Sequence, residues 1–139
     1  MFLLDSDIAS LLMQENARVI ARLAATDAEQ VALTLVTRLE MLRGRIDAIL
    51  KAATADELLR GCRGLATTDE FVGTYRIVPI TEVVAEQFVQ LRALKKLNKM
   101  DSGDRLQAAI AIAYGATLVT RNTKDYANVP GLTLENWAD

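Results

Sequence analysis

The 139-residue chain contains no histidine and a single cysteine, Cys62. The first absence removes imidazole from any catalytic or metal-binding scheme. The second rules out an intramolecular disulfide, and nothing suggests an oxidising compartment. Cys62 lies in a helix-like stretch with no histidine partner and reads as a plain packing or surface residue. No apolar run is long enough to span a bilayer, and no charged-then-apolar leader pattern is present, so the expected location is cytoplasmic. Neither sign of charge dominates: 16 basic and 18 acidic residues give a net charge of −2. That balance does not advertise nucleic-acid binding, although Arg92, Lys95, Lys96 and Lys99 crowd together just before the acids Asp101 and Asp104.

Half of the residues are apolar (51%) and about a quarter (24%) are charged, the make-up of an ordinary folded chain. The length suits one domain with a sizeable core. Residues 1–5 read as a short buried strand. The apolar spacing over 8–23 predicts a helix, and 31–36, rich in β-branched residues, predicts a second strand. Helices are expected over 39–50 and over 56–70, the latter interrupted by Gly61 and Gly64. A short strand at 76–79 ends at Pro79. Thr81 then caps a helix over 83–97. Residues 105–114 are apolar nearly all round, predicting a central helix closed by a left-handed Gly115. A strand at 116–120, a Pro130-Gly131 turn, and a final edge strand or tail at 132–134 with Trp137 complete the chain. Strands alternating with helices predict an α/β sandwich with a mostly parallel sheet.

Carboxylates fall at the ends of these elements. Asp5 and Asp7 follow the first strand, Glu40 follows the second, Asp101 and Asp104 open the central helix, and Asn122 and Asp125 follow the 116–120 strand. In open parallel sheets, ligands bind beyond the carboxyl ends of the strands, so these oxygens can converge there on a hard divalent cation. Each acid also has a purely structural reading. Asp5 or Asp7 can cap the first helix, with Asp7 nearer its start. Thr37-x-x-Glu40 has the form of a capping box. Asp101 or Ser102 can cap the central helix, which leaves Asp104 as a charge on a largely buried element. Asn122 to Asp125 is also a common loop composition. Arg105, Arg121 and Lys124 can hold phosphates or pair with surface acids.

Four blocks in order resemble the PIN-domain ribonucleases, and most closely the VapC-like toxins of type II toxin–antitoxin pairs: Leu4-Asp5-Ser6-Asp7, Thr37-Arg38-Leu39-Glu40-Met41-Leu42-Arg43-Gly44, Asp104-Arg105-Leu106-Gln107-Ala108-Ala109-Ile110-Ala111, and Leu118-Val119-Thr120-Arg121-Asn122-Thr123-Lys124-Asp125-Tyr126 followed by Val129-Pro130-Gly131-Leu132. The resemblance implies a PIN-like three-layer sandwich in which Asp5, Glu40, Asp104, Asn122 and Asp125 hold Mg²⁺ or Mn²⁺ and Ser6 touches the site. It implies that Asp5, Glu40, Asp104 and Asp125 serve the hydrolysis of RNA, with Ser6, Arg105, Arg121, Lys95, Lys96 and Lys99 as contacts to the substrate. A small antitoxin protein and a homodimer are implied as partners. Gln107 stands where that family usually has an apolar residue, at little cost if it faces solvent or the cleft.

Two other readings stand beside this one. Asp5-Ser6-Asp7 also satisfies the Asp-x-Asp of haloacid dehalogenase-like phosphatases, with Asp5 as nucleophile, but Ala9 and Glu40 do not fit that pattern. A catalytically inactive PIN-like binding module is the non-enzyme reading.

Overall fold

The computed structural model describes residues 1–139. Three apolar residues form β1 (Phe2–Leu4), and α1 (Ser6–Met13) follows after one residue. The helix expected over 8–23 is broken in two. Glu15 takes a left-handed conformation (φ 59°), and the side chain of Asn16 accepts hydrogen bonds from the backbone of Arg18 and Val19 to start α2 (Ala17–Ala24). A left-handed residue and an Asx cap outweigh the continuous apolar spacing.

The run 31–36 divides between β2 (Val31–Leu33) and α3 (Leu35–Leu50). Thr34 caps α3 by accepting from the Thr37 amide at 3.1 Å. Thr37 therefore lies inside the helix, the expected Thr37–Glu40 capping box does not form, and Glu40 is free for other work. α4 (Ala55–Gly73) runs through Gly61 and Gly64 without interruption. These glycines let α4 lie close against α3: a Cβ on Gly61 would fall 3.0 Å from Ile49, and one on Gly64 would fall 3.2 Å from Arg45. The pairing of 49 with 61 and of 45 with 64 makes the two helices an antiparallel hairpin.

The 76–79 strand reduces to one parallel bridge, Ile77 to Leu33. Thr81 caps α5 (Glu82–Arg92) as expected, but the helix stops at Arg92 and gives way to a 3₁₀ turn at Lys95–Leu97. Then come α6 (Ser102–Ala113), β3 (Thr117–Val119), the single-turn α7 (Thr123–Tyr126) and β4 (Thr133–Glu135). Gly115 has φ 61°, which permits the sharp exit from α6 into β3.

The sheet order is β2-β1-β3-β4, parallel throughout. Both faces are covered, as a parallel sheet requires. Leu3, Ala32 and Leu118 point to one face and join Val84, Leu91 and Ala108 from α5 and α6. Leu4, Leu33 and Val119 point to the other and join Ile8, Val19 and Val72 from α1, α2 and α4. The result is a three-layer α/β sandwich. The order places α1 and α7 at the carboxyl ends of the adjacent strands β1 and β3, where chain direction around the sheet reverses.

A buried polar knot joins three elements at that end. Thr34, Thr37 and Gln107 are each no more than 2% exposed. The Thr34 hydroxyl donates to the Gln107 side-chain carbonyl, the Gln107 amide donates to Thr37 Oγ1 at 3.0 Å, and the Thr37 hydroxyl donates to the Leu4 carbonyl at 2.8 Å. Gln107 is thus a buried bonding partner of both threonines as well as a cleft-lining residue. Gln107→Leu keeps its approximate bulk but strips both hydroxyls of a partner. It is expected to lower unfolding free energy by about 1–3 kcal/mol in urea denaturation; unchanged stability would show that the knot is not needed.

Candidate functional site

Asp5 leaves β1 in an extended conformation (φ −76°, ψ 175°), and its Oδ1 accepts from the Ile8 amide at 2.8 Å. Asp5, not Asp7, is therefore the cap of α1. Asp7 lies within the first turn, where the helix dipole favours its charge, and it lines the same cavity as Asp5. Asp101 caps α6 by accepting from the Gly103 amide at 3.0 Å, which leaves Asp104 uncommitted to capping.

Two further acids are held by hydroxyls: Ser6 donates to Glu40 Oε2 at 2.6 Å, and Tyr126 donates to Asp104 Oδ1 at 3.1 Å. Asp5, Ser6, Glu40, Asp104 and Asn122 line one cavity of about 120 Å³, with Gln107 and Tyr126 among the other residues that form it. Residues from opposite ends of the chain meet there because β1 and β3 are neighbours in the sheet.

The electrostatics of this cavity are unfavourable by themselves. None of the three ion pairs in the structure includes Asp5, Glu40 or Asp104. Burial pushes the Asp5 carboxyl up to about 6, against the lowering effect of the Ile8 amide and the Thr120 hydroxyl, and Asp7 and Glu40 push it further in the same direction. Asp104 is also raised by burial, and then by Asp101, Glu40 and Asp125, while the Tyr126 hydroxyl opposes the shift. Tyr126 itself is driven well above the usual phenol range by burial and by the Asp104 charge, so it remains a hydrogen-bond donor.

The donors are oxygen only, which is the chemistry of a hard divalent cation and excludes a thiolate or imidazole site. As placed, no group of three acidic side chains is drawn tightly enough to ligate an ion by itself. The uncompensated charge and the free carboxylate oxygens nonetheless fit a cation among them.

The other candidates lie elsewhere. Asp125 is exposed and accepts a hydrogen bond from the Asn122 amide at the rim, outside the cavity lining. Arg105 is not available to substrate. It is 7% exposed and donates to the carbonyls of Leu97 (3.0 Å) and Met100 (2.8 Å), pinning the 3₁₀ turn to α6. Arg121 stands 4.0 Å from Asp139, and Lys95, Lys96 and Lys99 are exposed on and after the 3₁₀ turn, away from the lining. Sequence reading overlooked Tyr126 and Thr120. The available signals were an aromatic ring closing the polar run 121–125 and a hydroxyl at the end of an apolar strand.

A family model described as PIN domain matches residues 2–132. The tRNA(fMet)-specific endonuclease VapC of Salmonella typhimurium is 21% identical over 138 residues, spanning 98% of this chain and 97% of that protein. The solved structure of VapBC2 from Rickettsia felis, bound to a DNA fragment from its promoter, superposes with a TM-score of 0.78 at 23% identity, covering 98% of each chain. FitAcB from Neisseria gonorrhoeae superposes with a TM-score of 0.72 at 25% identity, covering 98% of this chain and 97% of that one.

The raised Asp5 carboxyl couples to stability. Between about pH 4 and 6 the folded protein keeps a proton that the unfolded chain has released, so this group's contribution is full below pH 4 and is lost as pH rises through 6. At neutral pH the metal-free protein therefore carries a penalty on the order of 2 kcal/mol at Asp5. Asp5→Asn keeps a good capping side chain and removes the charge. With chelator present it is expected to unfold later in urea than wild type at pH 7.5, with the gap closing toward pH 4. A wild type more stable at pH 7.5 would show that the ionised carboxylate is a net stabiliser.

Proposed function

Because this chain belongs to the PIN-domain family, we propose that it is a metal-dependent endoribonuclease, the toxin of a toxin–antitoxin pair. The observation that carries the reading is the meeting of Asp5, Glu40, Asp104 and Asn122 around one cavity at the carboxyl ends of β1 and β3, with no protein cation to offset their charge. Mg²⁺ or Mn²⁺ is the proposed cofactor. When bound, such an ion supplies a lowered water pKa and charge neutralisation at the phosphate.

The chain's own groups have distinct tasks in this reading. Asp5, Glu40 and Asp104 present carboxylate oxygens, fixed by the Ile8 amide, the Ser6 hydroxyl and the Tyr126 hydroxyl respectively, so that little reorientation is needed when substrate arrives. Asn122 adds an amide carbonyl, its NH₂ being turned to Asp125. Asp5, Glu40 and Asp104, the carboxylates lining the cavity, are also the groups placed to orient an attacking water. Asp125 acts from the rim through Asn122. The phosphatase reading of Asp5-Ser6-Asp7 has no support from the family match, whereas a binding module without catalysis is separated by the test below.

The named relatives carry the rest. One is called a tRNA(fMet)-specific endonuclease, and VapBC2 was solved bound to promoter DNA. By likeness we assign this chain RNA as substrate, a small antitoxin and a second copy of itself as partners, and the cytoplasm as its location. No helix is long and apolar enough to cross a membrane. Val83 and Val89 on α5, at 59% and 63% exposed, and Leu50 and Leu59 on the α3–α4 hairpin, at 78% and 53%, offer apolar surface for such partners.

Total bacterial RNA incubated with the antitoxin-free protein and Mg²⁺ or Mn²⁺ is expected to yield discrete new ends on sequencing, abolished by chelator and by Asp5→Asn. Folded, metal-loaded protein that produces no new ends would favour the binding-module reading.

A further inference from the structure

We propose that Arg45 binds a backbone phosphate of the RNA strand adjacent to the one that is cut, in a cleft between α1, α3 and α4 that adjoins the carboxylate cavity; the inference rests on the ribonuclease reading and extends it to how the strand is laid. The cleft has a volume of about 440 Å³ and is mostly polar. Ser6, Asp7 and Glu40 line both it and the carboxylate cavity, so the two spaces adjoin at these three side chains.

Arg45 follows Glu40 by five residues on α3, and it is seated rather than loose. Its Nε donates at 2.9 Å to the hydroxyl of Thr68, a residue only 1% exposed. One turn earlier on the same face of α4, Gly64 leaves room for the rest of the side chain: a Cβ there would lie 3.2 Å from an Arg45 terminal nitrogen and 3.4 Å from its Cδ. Gly64 and Thr68 together form a seat for the guanidinium.

Arg45 enters none of the three ion pairs, although Asp7 and Glu40 line the same cleft. One of its five N–H groups is used by Thr68, which leaves the terminal fork open, the geometry that suits a phosphate. A cleft whose inner end is acidic repels a polyanion. A fixed cation at its other end gives the strand one attractive point and sets which phosphate reaches the carboxylates. The basic residues expected from sequence to do this are Arg105, which is buried, and Arg121, Lys95, Lys96 and Lys99, which lie off both linings, whereas Arg45 lines the cleft.

The test uses a labelled oligonucleotide spanning a cut site mapped with the wild-type enzyme. Arg45→Met keeps the aliphatic stem over Gly64 but leaves the buried Thr68 hydroxyl without its partner, so it is expected to lower the melting temperature by a few degrees while staying folded at the assay temperature, raise KM about tenfold and change kcat less than threefold. Arg45→Lys should recover part of the loss, and Arg60→Ala, which removes a surface cation paired with Asp56, should leave KM unchanged. Replacing flanking phosphates one at a time by neutral methylphosphonates should identify one position that raises the wild-type KM but has no further effect in Arg45→Met. Wild-type KM in Arg45→Met, an equal loss in Arg60→Ala, or additive losses at every flanking phosphate would overturn the assignment while leaving the ribonuclease reading intact. Absence of cleavage by wild type would remove both.

Discussion

The carboxylate geometry depends on the buried knot of Thr34, Thr37 and Gln107 against the Leu4 carbonyl. Each component sits next to an acid: Leu4 immediately precedes Asp5, Thr37 lies one turn before Glu40 on the same face of α3, and Gln107 lies one turn after Asp104 on α6. The knot therefore sets the relative placement of a strand end and two helices, and through them of three charges. Apolar packing alone would leave these elements free to slide by fractions of an ångström. Directional hydrogen bonds in a dry interior do not allow that, because any partner left unpaired is costly. Polar groups are buried here because they hold the charges in place.

Those charges oppose the fold that holds them. Asp5 is both the cap of α1 and a buried carboxylate whose proton affinity is raised, so one residue contributes to helix initiation and to destabilisation. One backbone amide and two hydroxyls hold the three acids, yet no lysine or arginine neutralises them. Arg45 lines the adjoining cleft but is seated on α4 by Thr68 and Gly64, and Arg105 is drawn down onto backbone carbonyls. A protein that kept its cations out of contact with a carboxylate group in this way would gain stability by adding one, and would lose the space for a metal ion.

The sheet and the acids were largely legible in the sequence. Buried parallel strands read as short apolar runs, and the residue after the first run, Asp5, marks the carboxyl end where ligands gather. Legibility failed where a local signal competed with a stronger neighbour. Leu35-Val36 looks like the continuation of a strand but starts α3, which moved the cap from Thr37 to Thr34 and released Glu40. A continuous apolar periodicity hid the break at Glu15 and Asn16. Arg105 and Gln107 are adjacent in type to surface residues, and only three-dimensional packing shows that one pins a turn and the other bridges two threonines. Arg45 was invisible because its role comes from α4, through Thr68 and through Gly64, a glycine that reads in one dimension as a helix interruption.

The central claim is that Asp5, Glu40 and Asp104 form a cation site, and crystals soaked in Mn²⁺ test it through anomalous scattering. The account predicts a peak in the cavity, at ligand distance from oxygens of Asp5 and Asp104, that disappears in Asp104→Asn crystals. A well-ordered site with no peak there, or with Mn²⁺ bound only at surface carboxylates elsewhere, would contradict it.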